Sequence, residues 1–238
     1  MCPKVRSLKT KAVLFDLGNT LVRMWTPEIV FHRVLNSLGI ATSIEEVEQA
    51  ITKTEESFKN LSYRSMYGKV SYAEYWDKWD STVLKHLGIE SDEETAEKIR
   101  LKWFDHVDCE PYSDVGKVLP NLKRNGLKTG IISTGYEEDI HSILQKSAIQ
   151  RQLFDVIVGA NTIKKEKHHR EVFIYALSKL SVKPEETLFI GDTIEADYEG
   201  AEKVGIKSIL ILRHPHPAQR DLDIRTVESL DEIFKFIE

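Results

Sequence analysis

The spacing of apolar positions changes period twice along the chain. Ala12-Val13-Leu14-Phe15 is a short, wholly apolar run, the pattern of a strand covered on both faces in a parallel sheet. It ends at Asp16. From Pro27 to about Val107 the period becomes helical, and four stretches follow one another: Pro27 to Leu38, Ile44 to Leu61, Tyr72 to Leu87 and Glu93 to Val107. Helix start signals accompany them: Thr26 precedes Pro27, Ser43 has Glu46 three residues on, Ser71 has Glu74 and Ser91 has Glu94. Beyond residue 110 strand and helix patterns alternate, through Lys128 to Ser133, Glu138 to Ser147, Val156 to Gly159, Arg170 to Leu180, Thr187 to Ile190, Glu195 to Val204 and Ser208 to Leu212. Alternation of this kind predicts right-handed crossovers and a parallel sheet. The expected architecture is α/β: a doubly wound, Rossmann-like parallel sheet from residues 1–22 and 111–238, interrupted by an all-α helical bundle over 23–110.

Composition narrows the function classes. At 238 residues and 41% hydrophobic content the chain can bury a proper core. Its net charge of −5 is spread along the sequence, which argues against a nucleic-acid partner. Cys2 and Cys109 stand in no metal-ligand or redox spacing, so neither structural zinc nor a disulfide is expected, and a reducing cytoplasm is the simpler home. Met1 to Lys11 carries basic residues with no apolar stretch behind them, and no run approaches the ~20 apolar residues of a membrane helix. The expectation is a protein neither exported nor membrane-spanning. His214-Pro215-His216-Pro217 reads as an exposed loop.

Four segments carry candidate chemistry. In open parallel sheets ligands bind beyond the carboxyl ends of the strands, where loops from separate strands meet. Phe15-Asp16-Leu17-Gly18-Asn19-Thr20 places a carboxylate at such an end, and Ile131-Ile132-Ser133-Thr134-Gly135 a hydroxyl. Lys164-Lys165-Glu166-Lys167 is a basic stretch before a helix, and Phe189-Ile190-Gly191-Asp192-Thr193 is followed by Asp197. Taken singly, each aspartate reads as a turn or helix-cap residue and the lysines as a solvated helix start.

In this order and spacing the four segments resemble the haloacid dehalogenase superfamily of phosphohydrolases, in its branch with a helical cap inserted after the first motif. The resemblance spans nearly the whole chain, and Gly191-Asp192, Gly200-Ala201 and Gly205 fit it closely. It implies a Mg2+-dependent phosphatase of a small phosphorylated metabolite, working through an aspartyl-phosphate on Asp16. The ion would take carboxylate oxygens from Asp16 and Asp192 and the backbone carbonyl of Gly18, with Asp197 behind them holding a bound water or the lysine. Ser133, Thr134, Gly135 and Asn19 would bind the phosphate, Ser133 with a catalytic role. The family lysine stands six residues before a helix phenylalanine, and counting back from Phe173 selects Lys167. His168 occupies the position where the family usually has proline.

Gly18 is the main departure. Family phosphatases usually carry a second aspartate there, which protonates the leaving group. General acid/base help is worth about 10²–10⁴-fold, so slow turnover or an unusual substrate is expected. A 2-haloacid dehalogenase and a non-catalytic phosphate-binding or regulatory protein remain alternatives. In the cap, Tyr72, Trp76 and Trp79 at helical spacing are expected on a packed face, while Arg64, Lys69, Arg23 and Trp25 are candidates to meet a substrate. The sequence gives no sign of oligomeric state.

Overall fold

Why β1 (Ala12–Phe15) is apolar at every position follows from its place in the sheet: it is central, and all four residues are wholly buried. In this computed structural model, which describes residues 9–60, 63–90, 93–213 and 223–237, β1 lies between β2 (Lys128–Ile132) and β4 (Thr187–Gly191). β3 (Val156–Val158) lies outside β2, and β5 (Lys207–Ile211) and β6 (Thr226–Val227) lie beyond β4. The order is therefore β3-β2-β1-β4-β5-β6, with every pair parallel. This is the doubly wound sheet expected from the alternation of strands and helices.

The chain divides into two compact units, one joining residues up to Arg23 with those from Glu110 onward, the other Met24–Cys109. In the first, α5 (Val115–Arg124), α6 (Glu137–Lys146) and α7 (Arg170–Leu180) follow the pattern of βαβ connections. Phe173, Ala176, Leu177 and Leu180 of α7 pack into a cluster with Leu14, Ile132, Val158 and Phe189 of the strands. The segment after β4 opens as a π-helical turn, Ile194–Glu199, before a short α8 (Gly200–Glu202). Where the chain leaves and re-enters this unit, Val22 and Pro111 form an antiparallel bridge, and the N–H of Arg23 donates to the carbonyl of Glu110 at 2.9 Å.

The second unit holds α1 (Pro27–Ser37), α2 (Ile44–Asn60), α3 (Tyr72–His86) and α4 (Glu93–Lys102). Its core joins Val30, Phe31, Val34, Leu35, Val47, Val83, Leu84 and Ile99. Ser43 and Glu46 cap α2 reciprocally, and Ser71 accepts from the Glu74 N–H at the start of α3. Pro27 opens α1, but Thr26 makes no side-chain cap bond.

Several expectations need correction. The Glu93 to Val107 pattern stops being regular helix at Lys102, because Trp103 and Phe104 turn their rings onto Phe31 and Trp25. On α3 Trp79 packs against the bundle core, as expected, and meets Trp76 edge to face, but the most deeply buried aromatic residue of the helix is Tyr75. α5 and β6 were not expected at all. Cys2, the Ser91 start signal and the His214-Pro215-His216-Pro217 loop lie outside the described residues. No described helix is long and apolar enough to cross a membrane.

Candidate active site

The chain order of the strands reverses at β1, since β2 and β3 lie to one side of it and β4 to β6 to the other. Such a switch point opens a crevice at the strand ends. Phe15 pairs with both Ile131 and Ile190, and the N–H of Asp16 donates to the Ile190 carbonyl at 2.8 Å. Backbone pairing thus carries Asp16 out of the sheet beside β4, where Asp192 follows Gly191.

Lys167 arrives from the loop before α7. Its ammonium lies 2.5 Å from Asp16 Oδ1 and 2.5 Å from Asp197 Oδ1, and the residue is 4% exposed. Lys164 and Lys165 are exposed, so geometry separates the three lysines. His168, in the place of the family's usual proline, is exposed and leaves Lys167 turned inward. Asp197 is fixed by the π-helical turn: its Oδ2 accepts from the Thr193 N–H at 2.9 Å and the Thr193 hydroxyl at 2.8 Å. Gly191 makes room for it, because any Cβ there would overlap the Asp197 carboxyl. Asn19, at a left-handed φ of 52°, has its side chain beside Asp192, whose carboxyl it pulls down against the effect of burial.

Three carboxylates therefore share one ammonium. Burial pushes Asp16 up to about 7, with Lys167 pulling against it and Asp197 and Asp192 adding to it. Burial and Asp197 also raise Asp192. Burial alone would lower Lys167, but the attraction of Asp16 and Asp197 outweighs it and keeps the ammonium charged. Such a surplus of buried negative charge suits a hard cation with oxygen ligands. One oxygen from each of Asp16, Asp192 and Asp197 falls within 4.8 Å of the others. Because both Asp197 oxygens already face Lys167 or Thr193, Asp16 and Asp192 are the better pair for an ion.

The Ser133 loop is braced from β3. The Ser133 N–H donates to the Val158 carbonyl at 2.9 Å, and the Ser133 hydroxyl accepts from the Gly135 N–H at 3.2 Å. The Ala160 N–H donates to the Gly135 carbonyl at 2.8 Å. Asn161 and Thr162 bond the backbone or side chains of Glu137 and Glu138. Thr134 is exposed, whereas Ser133 and Gly135 are half-buried. Sequence reasoning missed Asn161 and Thr162, and also Asp114 and Arg213, which brace the loop after Asp16. Their only signal was position, since Asp114 precedes an apolar helical pattern and Arg213 follows the last strong strand pattern.

Residues 13–211 match the family profile of haloacid dehalogenase-like hydrolases. The chain is 29% identical to the glyceraldehyde 3-phosphate phosphatase of Methanocaldococcus jannaschii over 233 residues, 95% of this chain and 96% of that one. It is 26% identical to the pyrophosphatase PpaX of Bacillus mycoides over 204 residues, 86% of this chain and 84% of that one. Among solved structures, the HAD-hydrolase YfnB of Bacillus subtilis, solved bound to magnesium, has the same fold, with a TM-score of 0.70 at 19% identity over 96% of this chain and 99% of that one. With its strand order, its charged strand ends and a profile match over most of its length, the chain belongs to the haloacid dehalogenase-like hydrolases.

Proposed function

We propose that this hydrolase is a Mg2+-assisted phosphatase of a small phosphorylated metabolite, with Asp16 as the phosphoryl acceptor. One observation carries the reading: Asp16 stands at a strand end with a buried ammonium on one oxygen and a second strand-end carboxylate, Asp192, beside it. The names of the curated relatives, a glyceraldehyde 3-phosphate phosphatase and a pyrophosphatase, favour a small phosphorylated substrate. A reducing cytoplasm, the home that two cysteines in no redox spacing suggest, goes with this reading.

The chemistry divides among this chain's own groups. A carboxylate oxygen of Asp16 attacks phosphorus, the bond to the leaving oxygen breaks, and that oxygen departs with the electron pair. Water then cleaves the aspartyl-phosphate, releasing inorganic phosphate and restoring Asp16. Lys167 offsets charge on the nucleophile and the transferring group, and Asp197 fixes the ammonium in place. Ser133, Thr134, Gly135 and Asn19 would orient the phosphate. Asp16 and Asp192, with the Gly18 carbonyl, would hold Mg2+, whose charge lets an anionic nucleophile approach an anionic phosphoryl group. With glycine at position 18, no residue two beyond the nucleophile protonates the leaving group, so substrates with good leaving groups are favoured.

The test is a panel of phosphorylated metabolites, with acetyl phosphate and p-nitrophenyl phosphate, assayed with Mg2+ and with EDTA. Metal-dependent phosphate release that Asp16→Asn abolishes is expected. Halide release from 2-chloropropionate, indifferent to EDTA, would instead establish a dehalogenase. Binding of phosphate without turnover of any substrate would make the chain a regulatory member.

A further inference from the structure

We propose that Arg213 is a positioning residue that clamps the loop after Asp16 and so holds Asn19, beside Asp192, in its left-handed turn. Arg213 lies just beyond β5, and its side chain is 6% exposed. Two of its nitrogens meet the Asp114 carboxylate, Nη1 at 2.6 Å from Oδ2 and Nη2 at 3.0 Å from Oδ1. Nε and Nη2 donate to the Thr20 carbonyl at 3.1 and 2.6 Å. The Tyr112 ring lies 4.0 Å from Cζ. Asp114 is itself held by the Ser229 hydroxyl at 2.9 Å and the Leu230 N–H at 2.8 Å.

A buried ion pair is a costly way to fill space, because desolvation offsets most of its attraction. What a guanidinium adds over an apolar side chain is several donors in a fixed fork. Here two of those donors converge on a single loop carbonyl. Thr20 follows Asn19, the residue at φ 52°. A non-glycine residue keeps a left-handed backbone only where its surroundings hold it. The turn's own bonds, Asn19 N–H to Val22 O at 2.7 Å and Leu21 N–H to Leu17 O at 2.9 Å, close the loop on itself. Among the described residues, Arg213 ties the Thr20 carbonyl to the segment that follows β5. Loosening it frees Asn19 and the turn after Asp16 to relax.

For catalysis this role rests on the phosphatase reading, whereas the clamp itself can be measured without any substrate. Amide hydrogen exchange, followed by mass spectrometry, is compared between the wild type and Arg213→Lys, which keeps the charge but cannot span both partners. Peptides covering Leu17–Arg23 are expected to exchange about tenfold faster, the effect of losing one charge-assisted hydrogen bond, with β4 and β5 unchanged. In the kinetic arm, kcat with p-nitrophenyl phosphate is expected to fall while KM holds, and Arg213→Lys combined with Asn19→Ala to cost no more than Asn19→Ala alone. A second variant, Arg213→Met with Asp114→Leu, removes both charges together and leaves neither unpaired; it is expected to show the same loop acceleration. Wild-type exchange in Leu17–Arg23 in either folded variant would overturn the clamp, as would acceleration spread evenly over the core. Failure of both variants to fold would assign the pair to stability instead. Loop acceleration in a protein inactive on every phosphate ester would keep the clamp and discard the phosphatase.

Discussion

At position 18 the residue alone separates two chemistries. Gly18→Asp is expected to raise kcat/KM for poor alkyl leaving groups by about 10²-fold and to leave p-nitrophenyl phosphate nearly unchanged, because only a poor leaving group needs a proton early. An equal gain on both substrates, measured side by side, would show that something other than a missing acid limits the rate. Asp16 and Asp192 are legible in the sequence as carboxylates at the ends of apolar strand patterns, whereas Gly18 takes its meaning only from the family resemblance. The pairing of Lys167 with both Asp16 and Asp197 is not legible there, because periodicity says nothing about which lysine in a basic run turns inward; the family spacing back from Phe173 was needed to single it out.

At the level of elements, α3 shows how burial and charge conflict. Asp80 is 4% exposed on the bundle side of this helix, and burial, with Asp77 nearby, raises its carboxyl well above the usual range against the pull of Arg100. A carboxyl raised in the folded state binds its proton more tightly there than when unfolded. Its contribution is therefore most favourable below the unfolded value near 4 and is lost as pH climbs toward the raised folded value. Asp80→Asn, which cannot ionise, is expected to stabilise the protein by roughly 1–2 kcal/mol at pH 8 and hardly at all at pH 4. Thermal melts across that range would show it, and a difference independent of pH would rule the mechanism out. The same helix shows what amphipathic spacing resolves and what it does not: Trp79 lies on the packed side, as its spacing implies, but the deepest line runs through Tyr75, Val83 and Leu84. α5 is a different case. Val115, Val118, Leu119 and Leu122 have helical spacing, but Pro120 in the middle reads as a breaker until the packing is seen to tolerate it.

Over the whole molecule, the doubly wound parallel sheet followed from alternating patterns, whereas the bonds that join distant ends of the chain did not. Asp114 illustrates the second kind, linking the start of α5 to Arg213 and to the final turn at Ser229 and Leu230. Burial would lift this carboxyl, but the Arg213 and Leu230 hydrogen bonds outweigh burial and hold it below its usual value. A depressed folded value stabilises the fold above the unfolded value near 4, and the benefit disappears as pH falls through the folded one. Asp114→Asn is expected to cost roughly 3 kcal/mol at pH 7 and progressively less below pH 4. Urea unfolding at pH 3 and pH 7 would reveal the trend, and a cost undiminished at pH 3 would contradict it. The bridge between Val22 and Pro111, with Arg23 bonded to Glu110, has a consequence of another kind. The helical insertion leaves and returns through a closed stem, so its two ends are already joined before any of its 86 residues, Met24–Cys109, are counted. An inserted segment anchored in this way is exchangeable: its length and sequence can drift, or be replaced by grafting, while the sheet keeps its register and its charged strand ends.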